Sequence, residues 1–391
     1  MDGEISDVEY MAIQIEHLNG SMDLIFYGEY KIVNDRERFV ATMHYEPVDR
    51  PVLWEWGAWG ETVRRWQREG GFAGPPPEYQ ECDRQENAGV DFGLVPAFER
   101  KVLADDGRTI AYINEKGQVL RDFHNAESSM PEFMAYPVED RKDWELICER
   151  MGPDSPERYP DDWEERVQRW KVERAGPLQV YGGRDGGLFS QIREVMGAEQ
   201  ALMLMCDDPG LAHDIMEYRT EFMMRVMERA LREAQPDWAI FWEDMAYHTA
   251  SLISPAMFRE FMLPRYKRLA EFVGSFGVDV VFVDTDGHVD ELIPLFLEAG
   301  VRGIYPMEVN AGMDVARLRR EYGRELLMTG GIDKRALADG PEAIDAELER
   351  CIPVALEGGY IPTVDHSLPP DISYANFQYY WKRKKEMLGI E

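Results

Sequence analysis

In the second half of the chain, acidic and imidazole side chains follow one short apolar run after another. Glu243-Asp244 comes after Trp238–Trp242, Asp284-Thr-Asp286-Gly-His288 after residues 280–283, Glu308 after 303–305, Asp333 after 326–329 and Asp365-His366 after Tyr360–Val364. Gathering this many ionisable groups at one rim costs free energy unless water, hydrogen bonds or a cation satisfies them, and a cation does so most economically. Two carboxylates at i and i+2, with Gly287 behind them, suit a turn that aims both inward, and His366 offers a third donor from far along the chain. A divalent cation shared by Asp284, Asp286 and His366 is therefore the economical reading, beside the alternative that the two aspartates only organise their own turn. Glu243 and Glu308 stand at the same rim, and Asp365, next to His366, would orient its imidazole. Plainer readings stand beside this one. Asp244, Asp333 and His288 suit helix capping after a strand, where a side chain takes up a free backbone N–H. His366 equally suits a general base or a hydrogen-bonded structural histidine.

A second group of residues would shape a pocket. Trp54, Trp56, Trp59, Tyr181, Phe189, Trp242, Tyr247 and Met307 lie near the ends of apolar runs, where they would line an aromatic substrate site, with core packing as the alternative. Gly182-Gly183 and Gly186-Gly187 make a flexible loop after Leu178–Tyr181. No Lys or phosphate-binding pattern follows it, so the loop reads as room for a bulky partner.

Bringing these residues together requires strands that end at one face. Apolar runs at 52–56, 90–97, Leu178–Tyr181, Trp238–Trp242, 280–283, 303–305, 326–329 and Tyr360–Val364 make eight candidate strands, and amphipathic stretches follow most of the later ones. Strand and helix in alternation imply parallel units, and eight strands imply an α/β fold of the (β/α)8 TIM-barrel type, with active-site residues at the carboxyl ends. An open doubly wound sheet is the competitor, but no G-x-G-x-x-G follows the first strand. A helix at 36–43 leads into the barrel, which runs over 36–391. Residues 1–35 read as an N-terminal extension packed outside it or against a partner subunit, compatible with a homodimer. An insertion at about 100–176 holds a hairpin at 101–123, with Glu115-Lys-Gly117 as its turn, and a helical segment at 131–176.

Bulk properties narrow the partners. The 43 basic and 74 acidic side chains leave a net charge of -31, which disfavours nucleic acid and anionic membranes. Cys82, Cys148, Cys206 and Cys351 form no C-x-x-C pair and no disulfide framework. The acidic start, without a basic and then apolar run, shows no signal peptide, and no run suffices to span a bilayer, so a cytoplasmic protein is expected.

Four stretches together resemble the uroporphyrinogen decarboxylase superfamily over about residues 36–388. They are Arg36-Glu-Arg-Phe-Val-Ala-Thr-Met43 with Pro47-Val-Asp-Arg-Pro51, Glu243-Asp-Met-Ala-Tyr247 with Ile253-Ser-Pro255, Gly330-Gly-Ile-Asp-Lys334, and His366-Ser-Leu-Pro-Pro370. The resemblance implies one of two branches: decarboxylases of a porphyrinogen, or cobalamin-dependent methyltransferases that use zinc. The decarboxylase branch needs an Arg-containing motif near the first strand and Phe-Ser-Asp at the second, where this chain has Trp54-Glu-Trp-Gly-Ala-Trp59 and Asp91-Phe-Gly-Leu-Val-Pro96. The methyltransferase branch carries His-x-Cys-Gly after one strand and a Cys near the last, places taken here by Asp284-Thr-Asp286-Gly287 and His366. Two carboxylates and an imidazole match the charge of two thiolates and an imidazole, but harder oxygen ligands leave zinc a stronger Lewis acid and admit Mn2+, Fe2+ or Mg2+. The implied function is metal-assisted transfer of a methyl group from a small donor, an O-methyl ether by preference, to a Co(I) corrinoid (cobalamin) on a partner protein, with Zn2+ or another divalent cation on Asp284, Asp286 and His366 and with Glu243 or Glu308 completing the coordination or delivering a proton to the departing oxygen. Two other readings stay open: a metal-independent decarboxylase or lyase, and a non-catalytic corrinoid or small-molecule binding protein.

Overall fold

A computed structural model describes residues 12–16, 22–26, 33–124 and 130–390. Of the expected extension at 1–35, the strands β1 (Ala12–Glu16) and β2 (Met22–Phe26) pair antiparallel, and its remaining residues up to 32 lie outside the described residues. The main sheet contains β3 (Glu86–Asn87), then, beyond an inserted sheet, β8 (Leu178–Tyr181), β9 (Trp238–Trp242), β10 (Val280–Asp284), β11 (Gly303–Met307), β12 (Leu327–Ile332) and β13 (Tyr360–Val364). These seven strands lie parallel and side by side in chain order, as successive right-handed strand–helix–strand units dictate.

Alternation along each strand sorts its residues into two layers. Trp238, Ile240, Val280, Phe282, Leu327 and Ile361 point into the barrel with Val52 and Trp54. Their neighbours Ala239, Phe241, Val281, Val283, Met328, Tyr360 and Val364 pack outward among the helices. With both faces buried the strands read as unbroken apolar runs, which is why they stand out in the sequence. The floor is closed by the helix Asp35–Met43, whose start carries a reciprocal cap between Asn34 and Glu37. From that helix Phe39 stacks on Trp54 at 5.3 Å and leans on Trp238 at 5.0 Å.

Two of the expected strands differ. Residues 52–56 are extended but form no regular ladder, because side chains replace the backbone partners. Leu53 N–H donates to Asp83 Oδ2 at 2.9 Å, and Val364 N–H donates to Glu55 Oε1 at 2.9 Å. Leu53 C=O accepts from Asp83 N–H, and Gly57 C=O from Leu368 N–H, so this segment fills the gap between β13 and β3 and closes the barrel. The second strand is β3, not residues 90–97. It is short and polar and gives no apolar signal, whereas in 90–97 Asp91 N–H and Val95 N–H donate to the carbonyls of Arg158 and Arg150 in the inserted segment.

The inserted segment begins with a four-stranded antiparallel sheet of β4 (Lys101–Asp105), β5 (Thr109–Ile113), β6 (Val119–Phe123) and β7 (Glu132–Ala135). Lys116, in the turn between β5 and β6, reaches the loop after β8, with Nζ 2.9 Å from Asp185 and 2.9 Å from Glu194. The helices Arg141–Cys148 and Trp163–Val172 bury Trp144, Trp163 and Trp170 in the same outer core as the barrel helices. Among the described residues, no helix is long and apolar enough to cross a membrane.

Candidate active site

The carboxyl ends of β8, β10 and β11 bring three polar groups together. Asp284 ends β10 two places beyond the inward Phe282, so its carboxyl also faces the interior, where it is 8% exposed. Its Oδ2 accepts from the hydroxyls of Tyr181 at 2.5 Å and Tyr305 at 3.0 Å. Burial pushes its pKa up to about 7; the Tyr181 hydroxyl opposes the rise, and the neighbouring charge of Asp286 adds to it. Burial also raises both tyrosines, so they stay protonated donors.

Above this buried carboxyl lies a second pair, open to solvent. His366 Nε2 sits 3.4 Å from Asp286 Oδ2, with the two side chains 31% and 38% exposed. The hydrogen bond to Asp286 raises the imidazole pKa against the effect of burial. Trp56 bridges the two levels, its ring 5.9 Å from His366 and 5.6 Å from Tyr305, while its Nε1 donates to Ser367 Oγ at 3.2 Å. Gly287 makes the turn possible. Its φ is +83°, and a Cβ there would lie 2.6 Å from the Tyr247 carbonyl oxygen. Glu308 Oε2 accepts from Gly287 N–H at 3.0 Å, tying the end of β11 to this turn.

The three expected metal ligands thus occupy one mouth but do not form one ligand set. Asp286 and His366 stand at the separation of two ligands on a tetrahedral zinc, about 3.4 Å for bonds of about 2.1 Å. Asp284 spends Oδ2 on two hydroxyls. Among the described residues, no group of three His, Cys, Asp or Glu side chains is arranged to hold a metal ion.

Several expected roles need correction. Glu243 neither completes this cluster nor can reach a substrate. It is fully buried, accepts from Leu188 N–H and Ser190 N–H at 2.9 Å each and from the Tyr266 hydroxyl, and so caps the helix Phe189–Met196. Asp365 does not orient His366. Its carboxylate holds Val309 N–H at 3.1 Å and Lys334 N–H and Nζ at 3.2 Å each, joining the loops after β11 and β12. Trp54 lies at the barrel floor against Phe39, not in the pocket. Met307 packs in the outer core, because a register irregularity between Ile304 and Met307 breaks the alternation there. Asp333 does cap its helix, accepting from Arg335 N–H at 2.9 Å, whereas Asp244 pairs with Arg193 and His288 Nδ1 meets the Ala311 carbonyl at 2.7 Å. Tyr305 belongs to the site although it lies within a strand and not after one. One signal in the chain points to it, the single hydroxyl of its apolar run, whereas its cross-strand pairing with Asp284 is set by the fold.

A family model described as uroporphyrinogen decarboxylase (URO-D) matches residues 169–387. The chain belongs to this family. The matched part runs from the last inserted helix through β13 to the final helix, and so includes Tyr181, Asp284, Asp286, Tyr305 and His366. A uroporphyrinogen decarboxylase of Thermus thermophilus is 25% identical over 303 residues, covering 74% of this chain and 78% of the relative. One of Chlorobium limicola is 22% identical over 222 residues, and the match spans only 60% of that relative. Among solved structures, a methyltransferase from Methanosarcina mazei superposes with a TM-score of 0.54 at 15% identity, covering 91% of this chain and 99% of that one, which shows a shared fold. This URO-D family member is therefore a TIM-barrel-like chain of an enzyme family, and the names decarboxylase and methyltransferase describe those relatives.

The glycine loop after β8 is packed tightly against the mouth of this URO-D barrel. Gly186 C=O accepts from Trp242 N–H at 3.2 Å, and a Cβ on Gly187 would fall 1.9 Å from the Trp242 carbonyl oxygen. The loop is therefore fitted to β9 and does not serve as room for a bulky partner. Gly187→Ala is expected to lower stability to urea by about 1–3 kcal/mol, as overpacking against backbone does. An unchanged unfolding midpoint would show that the loop is free to move away.

Proposed function

We propose that this site transfers a methyl group from a small O-methylated substrate to a corrinoid acceptor, with Asp284 as the acid that protonates the departing oxygen. The observation that carries the reading is a buried carboxyl held by two tyrosine hydroxyls directly beneath an open mouth. An alkoxide or phenoxide is a poor leaving group, and a positioned acid of pKa near the working pH is the suitable donor. As the C–O bond breaks, its electron pair stays on oxygen, which takes the proton from Asp284 and departs as an alcohol or phenol. Water at the mouth then reprotonates Asp284. Tyr181 and Tyr305 fix the carboxyl and steady its charged form after the proton has gone.

The corrinoid supplies the nucleophile that accepts the methyl group. Asp286 and His366 are solvent-exposed, so a corrinoid acceptor on a partner protein would enter on their side of the site. Because the expected three-ligand metal set is not formed, no step is assigned to a metal ion. Electrostatics favour this reading over decarboxylation of a polycarboxylate. Arg193 is engaged by Asp244, Lys334 by Asp365, and Glu55, in the stretch where an arginine motif would stand, is a buried anion paired with Lys384. Few cations remain to hold many carboxylates.

The test is incubation of purified protein with a methoxylated arene and Co(I) cobalamin. Methylcobalamin and free phenol in equal amounts are expected. No methyl transfer, with carbon dioxide released from a porphyrinogen instead, would overturn the proposal. Metal analysis of the same protein, repeated on His366→Ala, reads separately whether the exposed pair recruits a divalent ion.

A further inference from the structure

The loop after β8 carries a cation that the proposed reaction does not use. Arg184 is exposed in the short turn Gly183–Asp185, and its guanidinium lies 5.4 Å from the Trp242 ring centroid. Among the described residues it makes no hydrogen bond and no ion pair, and it stacks on the indole instead. The other cations around the mouth are engaged. Arg193, which also lies over Trp242 at 5.1 Å, is held by Asp244, Lys334 by Asp365 and Lys116 by Asp185 and Glu194. In a chain with 74 acidic side chains, an arginine at the mouth without a carboxylate is set to receive one from outside.

Geometry limits what it can receive. Trp242 and Asp284 are register partners on adjacent strands, and both fall on the inward side at the carboxyl end. The guanidinium thus lies over a side chain of the strand next to that of the acid, and a ligand lying along this face between the loop after β8 and β10 meets both. The surface between them is aromatic, with Trp242, Tyr181, Tyr305 and Trp56. A planar guanidinium already stacked on an indole keeps its N–H fork free for bidentate binding of a carboxylate.

We infer that Arg184, stacked on Trp242, anchors the carboxylate of an aromatic monocarboxylic acid whose methoxy group, at the far side of the ring, meets Asp284. This substrate class rests on the methyl-transfer reading, but its test does not need turnover. The dissociation constants of 4-methoxybenzoate and the uncharged 4-methoxybenzamide are measured calorimetrically on wild-type protein, Arg184→Gln and Arg184→Lys. Wild type is expected to bind the acid at least 10-fold more tightly than the amide. Arg184→Gln should weaken the acid by about 10- to 100-fold and leave the amide unchanged, and Arg184→Lys should recover part of the loss. Equal affinity of wild type for acid and amide, no binding of the acid, or equal weakening of both ligands in Arg184→Gln would overturn the inference. If acid is preferred but no methyl is transferred, the reaction assignment fails and the carboxylate subsite stands. If methyl is transferred without that preference, the subsite fails and the reaction assignment stands.

Discussion

Asp284→Asn is expected to lower kcat for methyl transfer by roughly 100-fold or more while leaving the fold intact, because the amide keeps the tyrosine contacts but has no proton to give. In the wild type, kcat should fall as pH rises through about 7, where the buried carboxyl ionises. The same group shapes stability. Below its ordinary value of 3.8 the carboxyl is protonated in both folded and unfolded chains, and pH has no effect through it. Between 3.8 and about 7 only the unfolded chain loses the proton, so the folded state weakens as pH rises, and the loss is complete above that range. At 1.36 kcal/mol per unit the loss is on the order of 4 kcal/mol. The amide of Asp284→Asn does not ionise and escapes this loss, so the variant should be inactive yet more resistant to urea than wild type at pH 8, and nearly equal to it at pH 4. Equal urea midpoints at pH 8, or an active variant, would refute this account of Asp284.

The second large effect is expected at the barrel seam, where the segment 52–56 meets the end of β13. Glu55 and Lys384 form an ion pair at 2.9 Å with both side chains fully buried. Lys384 Nζ also donates to the Trp54 carbonyl at 2.7 Å, and Glu55 accepts from the Tyr380 hydroxyl at 2.5 Å and from Val364 N–H. Glu55→Ala would leave a buried ammonium without its counter-charge and strip β13 of a hydrogen bond, a loss of about 3–5 kcal/mol. Apolar replacement of both partners, Glu55→Leu with Lys384→Met, should recover much of it, since a buried pair costs more when half is removed than when both go. Urea unfolding of the single and double variants measures this, and a single variant that costs under about 1 kcal/mol would show that closure does not depend on the pair.

Much of the barrel is legible in the residues. Six later strands fall where unbroken apolar runs mark them, because strands buried on both faces must be apolar throughout. The first two positions are harder for the same reason reversed. β3 is Glu86–Asn87, polar and brief, and residues 52–56 rely on Asp83 and Glu55 side chains that no apolar pattern announces. At the site, placing ionisable groups at strand ends brings Asp284, Asp286 and His366 to one mouth, yet it gives Glu243 and Asp365 catalytic roles that they do not have. Both carboxylates are consumed by backbone N–H groups of neighbouring loops, and such partners are distant in sequence.

By itself the sequence determined the α/β class, the strand-end positions of the acidic residues and the family resemblance, since these depend on periodicity and local spacing. Only the tertiary structure decided which carboxyl is buried against two tyrosines, which pair faces solvent and which arginine at the mouth has no ion-pair partner among the described residues. Those properties depend on distances between strands over 100 residues apart in the chain, such as Tyr181 and Asp284. They also depend on how completely the packed barrel excludes water from each group, which no local pattern encodes.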